Sequence, residues 1–92
     1  MDVLLMGARG QLGVDLTSAL EREHRVTAWD VTELDITDLG AVMEAVRTLK
    51  PDLILNAAAY TDVDGCESHM DTAYRVNAIG PRNLAIAALE TR

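Results

Sequence analysis

The chain has 92 residues, 49% hydrophobic and 25% charged, a balance that fits one small globular domain and excludes a second lobe. Its formal charge of −7 at pH 7 opposes the phosphate backbone of nucleic acid, which demands clustered Lys and Arg. No apolar run approaches the roughly 20 residues that cross a bilayer, and the opening MDVLLMG lacks a basic flank and a long apolar stretch, so no membrane association and a cytoplasmic location are expected.

Val3-Leu4-Leu5-Met6, ended by Gly7, reads as a first strand buried on both faces of a parallel sheet. Leu12, Leu16, Ala19 and Leu20 then recur at i, i+4, i+7 and i+8, an apolar stripe that predicts a helix running to about Glu23. Arg25–Trp29 is a second strand ending at Asp30. Asp38 is placed to cap a second helix, in which Leu39, Val42, Met43, Val46 and Leu49 keep helical spacing until Lys50-Pro51 stops it. Asp52-Leu53-Ile54-Leu55-Asn56 is a third strand, followed by three alanines small enough for close backbone contact with a ligand. From about His69 to Glu90 the pattern is one long helix, with Gly80-Pro81 as a point of kinking.

The order βαβαβα predicts an α/β, Rossmann-type three-layer fold in partial form, with parallel strands side by side in the order 3-2-1. In that order the first strand has an open edge, inclined to pair with a second copy and make a homodimer.

Gly7-Ala8-Arg9-Gly10-Gln11-Leu12-Gly13 has the spacing G-x-x-G-x-x-G between the end of a strand and the start of a helix. Glycines let the chain turn sharply and let a pyrophosphate approach the backbone, while the helix N-terminus favours negative charge. The plainer reading of such a loop is a tight turn that needs positive φ. Asp30 weighs against it, because an acidic residue closing the second strand about 20 residues beyond the loop accepts hydrogen bonds from an adenosine ribose. A triphosphatase loop does not fit, since position 12 is Leu and Lys50 is the only lysine. Cys66 is the only cysteine, so an internal disulfide is excluded, and its polar surroundings suggest an incidental thiol. His24 and His69 read as surface histidines beside helix ends, with no second metal-type ligand at helical spacing.

GARGQLG, LDITD at 34–38, PDLILNAAAYTDVDGCE at 51–67 and AYRVNAIGPRNLA at 73–85 together resemble the start of the dTDP-4-dehydrorhamnose reductase family, of the extended short-chain dehydrogenase/reductase kind. The likeness spans nearly the whole chain, so residues 1–92 are expected to be the N-terminal half of an NAD(P)-binding Rossmann domain. It implies an oxidoreductase of dTDP-L-rhamnose biosynthesis that passes hydride from NADPH or NADH to the 4-keto group of a dTDP-deoxysugar. It also implies that Gly10, Gln11 and Leu12 cover the pyrophosphate, that Asp35 and Ile36 lie against the adenine, and that Ala59, Tyr60 and Thr61 line the cofactor beyond the third strand.

A carboxylate can accept from the exocyclic amine, and an aliphatic side chain can cover a ring face. Asp35 or Thr37 can equally organise the loop before the second helix, and Tyr60 can be a packing aromatic. Asn56 and Asn77 resemble family asparagines that bond between loops. Some members bind Mg2+ near a carboxylate placed like Asp15, but one surface carboxylate makes no metal site, and none is assigned. As to the cofactor, Asp30 should repel a 2′-phosphate and Arg9 attract one, and the resemblance implies that both dinucleotides serve, NADP(H) being the usual one.

Reductases of this class pair a tyrosine proton donor with a lysine four residues later. Here Tyr60 is followed at that distance by Asp64 and Tyr74 by Ala78. No catalytic residue is therefore assigned; the catalytic and sugar-binding parts are expected to be absent and the chain inactive alone. The other readings are a non-catalytic regulatory module, similar to the regulatory subunit of methionine adenosyltransferase, and a bare folding unit without ligand.

Overall fold

The computed structural model describes residues 1–58 and 74–91. Along the chain run β1 (Asp2–Met6), α1 (Gln11–Leu20), β2 (Arg25–Trp29), α2 (Leu39–Leu49), β3 (Leu53–Asn56), a π-helical turn (Arg75–Ile79) and α3 (Gly80–Thr91). The α/β architecture is the one the apolar runs and helical stripes imply.

Both strand pairings are parallel, β1 with β2 and β1 with β3. The order is β2-β1-β3, which corrects the expected 3-2-1. Right-handedness alone does not decide this point, because a right-handed crossover can land on either side of the starting pair. Burial decides it. Val3, Leu4, Leu5 and Met6 are at most 2% exposed, so β1 needs cover on both faces and a strand on each edge. β2 begins exposed, and β3 is exposed at Leu53 and Asn56, as suits outer strands. With β1 central, the expected dimer through its open edge has no edge to use.

The reversal of winding at β1 puts helices on both faces. Leu4 and Met6 join Leu34, Ile36, Val42, Val46, Leu84 and Ala87 in one core, against α2 and α3. Val3 and Leu5 alternate to the opposite face, the side of α1. The stripe foreseen on α1 is only half used: Leu16 and Leu20 are half-buried, whereas Leu12 and Ala19 are exposed. Gly13 is the buried residue of this helix. A Cβ there would lie 2.8 Å from the Ala8 Cα and overlap the Gly7 carbonyl, so only glycine lets α1 dock this close to the turn.

Capping matches the sequence. Asp38 accepts from the Ala41 amide at 3.2 Å, and Lys50 ends α2 in the left-handed region at φ 48°. The kink foreseen at Gly80-Pro81 takes the form of the π-helical turn, in which the Gly80 amide reaches back to the Arg75 carbonyl. Pro81 has no amide to donate and its ring would press on the carbonyl four residues earlier, and the wider turn makes room for it. The start of the foreseen helix near His69 lies outside the described residues.

Candidate functional site

The carboxyl ends of the three strands open into a cleft of about 500 Å³. In open α/β sheets this crevice, at the strand where the winding reverses, is where ligands sit. Its lining brings together Gly7, Arg9 and Gly10 from the β1–α1 loop, Asp30, Asp35 and Ile36 from the β2–α2 loop, and Ala57 and Ala58 after β3.

The β1–α1 turn is held open from below. Gly7 has φ +81° and its amide donates to the Trp29 carbonyl at 2.9 Å, shared with the Ala8 amide at 3.1 Å. Gly10 caps α1 in an extended conformation, and no side chain takes the capping bond. Among the described residues no side chain takes the first-turn amides of α1, which lie in a field that favours negative charge. A Cβ at Gly10 would meet only the Gly7 carbonyl, at 3.5 Å. An anionic group can therefore approach this backbone closely, so the turn fits a pyrophosphate.

Asp30 is anchored from both sides: Oδ2 accepts from the Arg9 amide at 3.0 Å and Oδ1 from the Val31 amide at 2.8 Å. A carboxylate has about four acceptor positions, so both oxygens retain capacity for ribose hydroxyls. The Val31 amide, then the Arg9 amide and the Arg9 charge, outweigh burial and hold the Asp30 carboxyl below its usual range. Glu33 closes the same turn. Its Oε1 accepts from the Asp30 amide at 3.3 Å, and its Oε2 accepts from the Thr32 hydroxyl and the Arg9 guanidinium, the latter at 3.5 Å.

Asp35 Oδ1 accepts from the Thr37 hydroxyl at 2.7 Å and the Thr37 amide at 3.0 Å. The hydroxyl, then the amide, then the Arg75 charge lower its pKa against burial. Asp35 thus organises its loop and still lines the cleft. Ile36 is 5% exposed, packed in the core and pressed on Gly80, so only its edge is left to a ligand.

The remaining predicted residues fall elsewhere. Gln11 and Leu12 are exposed on the first turn of α1, and Gly13 packs beneath the loop. Ala59, Tyr60 and Thr61 lie outside the described residues, as do Cys66 and His69. Asn56 accepts from the Ala58 amide at 3.0 Å, which ties its own turn, and Asn77 stands in the π-helical turn. His24 sits at the opposite end of the sheet, 3.2 Å from the Met1 amino group. Asp15 is exposed on α1, and among the described residues no three His, Cys, Asp or Glu side chains converge to hold a metal. Among the described residues no helix is long and apolar enough to cross a membrane.

One residue of consequence escaped the sequence reading. Asn83, 1% exposed on α3, donates from Nδ2 to the Ile36 carbonyl at 2.9 Å and so fixes the loop that carries Asp35 and Ile36. Its signal was a polar residue on the apolar stripe Gly80, Leu84, Ala87, where a buried amide must have a specific partner.

Asp30, Glu33 and Asp35 share one linkage. Each folded-state pKa lies below its ordinary value, Glu33 chiefly through the Thr32 hydroxyl. Their stabilisation is therefore present above the unfolded values of about 4 and is lost as pH falls through the folded ones. The thermal midpoint, followed by Trp29 fluorescence, should hold between about pH 7 and 5 and drop below about pH 4. Asp35→Asn should shrink that drop; an equal acid slope in both proteins would discount the Asp35–Thr37 contact.

The RmlD substrate binding domain family matches the chain over residues 1–92. The chain belongs to that family. It is 44% identical over 89 residues to a dTDP-4-dehydrorhamnose reductase of Aggregatibacter actinomycetemcomitans, covering 95% of this chain and 30% of the relative. Two solved structures carry the same likeness. The dTDP-4-dehydrorhamnose reductase of Clostridium acetobutylicum superposes with a TM-score of 0.94 at 44% identity, over 99% of this chain and 33% of that one. The Bacillus anthracis reductase, solved in complex with NADP, gives 0.88 at 42%, over 95% and 32%. The chain thus spans about a third of the length of these family relatives, whose fold over that span is the one described above.

Proposed function

We propose that the cleft binds the adenosine and pyrophosphate of a nicotinamide dinucleotide, as the cofactor-holding part of a dTDP-4-dehydrorhamnose reductase. The observation that carries this reading is the convergence of Gly7 and Gly10, from the β1–α1 loop, and Asp30, Asp35 and Ile36, from the β2–α2 loop, on one cleft at the carboxyl ends of the strands. The amides at the start of α1 and Gly10 receive the pyrophosphate, Asp30 accepts from the ribose, and Asp35 with the edge of Ile36 meets the adenine. NADP in the Bacillus anthracis relative supports the cofactor class. When bound, the dinucleotide supplies the hydride; these residues hold and orient it.

In this reading residues 1–92 form the N-terminal half of the dinucleotide-binding domain, and the groups that protonate the sugar oxygen and bind the dTDP-sugar belong to sequence the relatives have beyond this span. The chain's only lysine, Lys50, follows neither tyrosine at the spacing the proton transfer needs.

The experiment is a thermal melt with and without NADH and NADPH. A ligand at a hundred times its Kd stabilises by about 2.7 kcal/mol, and about 1 kcal/mol shifts Tm by about 4–8 °C in a domain of this size. A rise of about 10 °C or more is expected, with no turnover of a dTDP-4-keto sugar by the chain alone. No shift with either nucleotide at millimolar concentration would sink the assignment.

A further inference from the structure

We infer that Glu33 makes the cleft select NADH over NADPH, by engaging the cation that a 2′-phosphate would need. The inference rests on the dinucleotide reading of the cleft and adds to it a residue that determines which dinucleotide enters.

Arg9 is the one cationic residue among those described that line the cleft. Its backbone is docked on Asp30 by the amide bond at 3.0 Å, which sets its side chain at the ribose end. From there the guanidinium reaches Glu33 Oε2 at 3.5 Å. Glu33 does not simply drift on the surface: the Asp30 amide holds Oε1 at 3.3 Å and the Thr32 hydroxyl holds Oε2, so both carboxylate oxygens are fixed across one tight turn. That turn is closed by the Glu33 and Leu34 amides on the Asp30 carbonyl, each at 3.0 Å. Asp30, which lines the cleft, and Glu33, beside it on the same turn, therefore both stand close to Arg9.

The consequences differ for the two cofactors. A free 2′-hydroxyl donates to Asp30 and asks nothing of Arg9. A 2′-phosphate brings further negative charge against Asp30 and must draw Arg9 away from Glu33 to be neutralised. The Arg9–Glu33 contact is exposed, with side chains 65% and 34% accessible, so its strength is that of a surface pair, about 1 kcal/mol at most. Converted at 1.4 kcal/mol per decade, that amounts to about fivefold in affinity, and removal of the Glu33 charge from beside the phosphate adds to it. Selection of this size is a preference and does not exclude NADPH.

The test is a titration of the full chain with NADH and NADPH, read by Trp29 fluorescence, for the wild type, Glu33→Gln, Arg9→Ala and the double variant. The wild type is expected to bind NADH about fivefold tighter, and Glu33→Gln to shift the ratio toward NADPH by about three- to tenfold. Measured against Arg9→Ala, the double variant should show a smaller shift than Glu33→Gln shows against the wild type, because the part of the gain that runs through Arg9 is lost; an equal shift overturns the role of Arg9. Equal or tighter NADPH binding by the wild type overturns the inference, as does a ratio unmoved by Glu33→Gln. So does an Arg9→Ala variant that weakens NADPH selectively, for Arg9 would then already serve the phosphate. Binding of neither nucleotide by any of the four proteins defeats the cleft reading itself, and this inference with it.

Discussion

Gly7→Ala should strip the chain of a large share of its stability, whereas the same substitution at Gly10 should leave the fold nearly unchanged and weaken dinucleotide binding. At Gly7 the backbone is left-handed, at φ +81°, and an added Cβ would lie 2.7 Å from the Ala58 Cα and closer still to the Ala58 amide. The conformational penalty is about 1–2 kcal/mol, and forcing the β1 turn away from the backbone beyond β3 adds about 1–3. Against a total stability of about 5–14 kcal/mol for a domain of this length, that is a large share. Gly10 has an extended conformation that alanine adopts freely and open space beside it. Losing glycine at the helix cap costs up to about 1 kcal/mol. Its Cβ would instead stand where the pyrophosphate meets the backbone, and a Kd weakened by about ten- to a hundredfold is expected. Circular dichroism melts and fluorescence titrations of the two variants separate the effects. If Gly10→Ala binds as tightly as the wild type, the pyrophosphate does not lie on this loop.

The difference between the two glycines also marks what the sequence could reveal. The G-x-x-G-x-x-G spacing located the turn, yet spacing does not say that Gly7 is pressed by the backbone beyond β3 and Gly13 by the turn beneath α1 while Gly10 faces open space; those differences depend on how the segments pack. Elements whose cause is local were legible: the Asp38 cap, the stop at Lys50-Pro51, and the apolar run of β1. Strand order was not, because it depends on which strand most needs cover, and comparison of burial across β1, β2 and β3 is a property of the folded sheet. Asp30 was legible as the residue that closes β2 beside the cleft, while the Arg9–Glu33 contact was not, since nothing in the local pattern shows that Arg9 reaches across the turn.

Asn83 carries the second large expected effect, and a choice of substitutions separates its packing from its hydrogen bond. Asn83→Leu has a similar size and keeps the apolar contacts of α3, but leaves the Ile36 carbonyl without the amide that now meets it at 2.9 Å. An abandoned buried acceptor costs about 1–3 kcal/mol. Asn83→Asp should be worse: it removes the donor, sets a carboxylate oxygen toward that carbonyl, and buries a charge at a position 1% exposed. Arg82, which donates to Asn83 Oδ1 at 3.2 Å, offsets only part of this penalty. Urea denaturation should rank the proteins as wild type, then Leu, then Asp. The functional consequence is distinct from the stability loss. Under conditions where Asn83→Leu is fully folded, the loop of Asp35 and Ile36 keeps its packing on α3 but loses its hydrogen bond to it, and dinucleotide affinity should fall by about tenfold, the equivalent of about 1.4 kcal/mol. Unchanged affinity in a folded Asn83→Leu protein would mean that the loop holds its place through the Asp35–Thr37 contact and the packing of Ile36 alone.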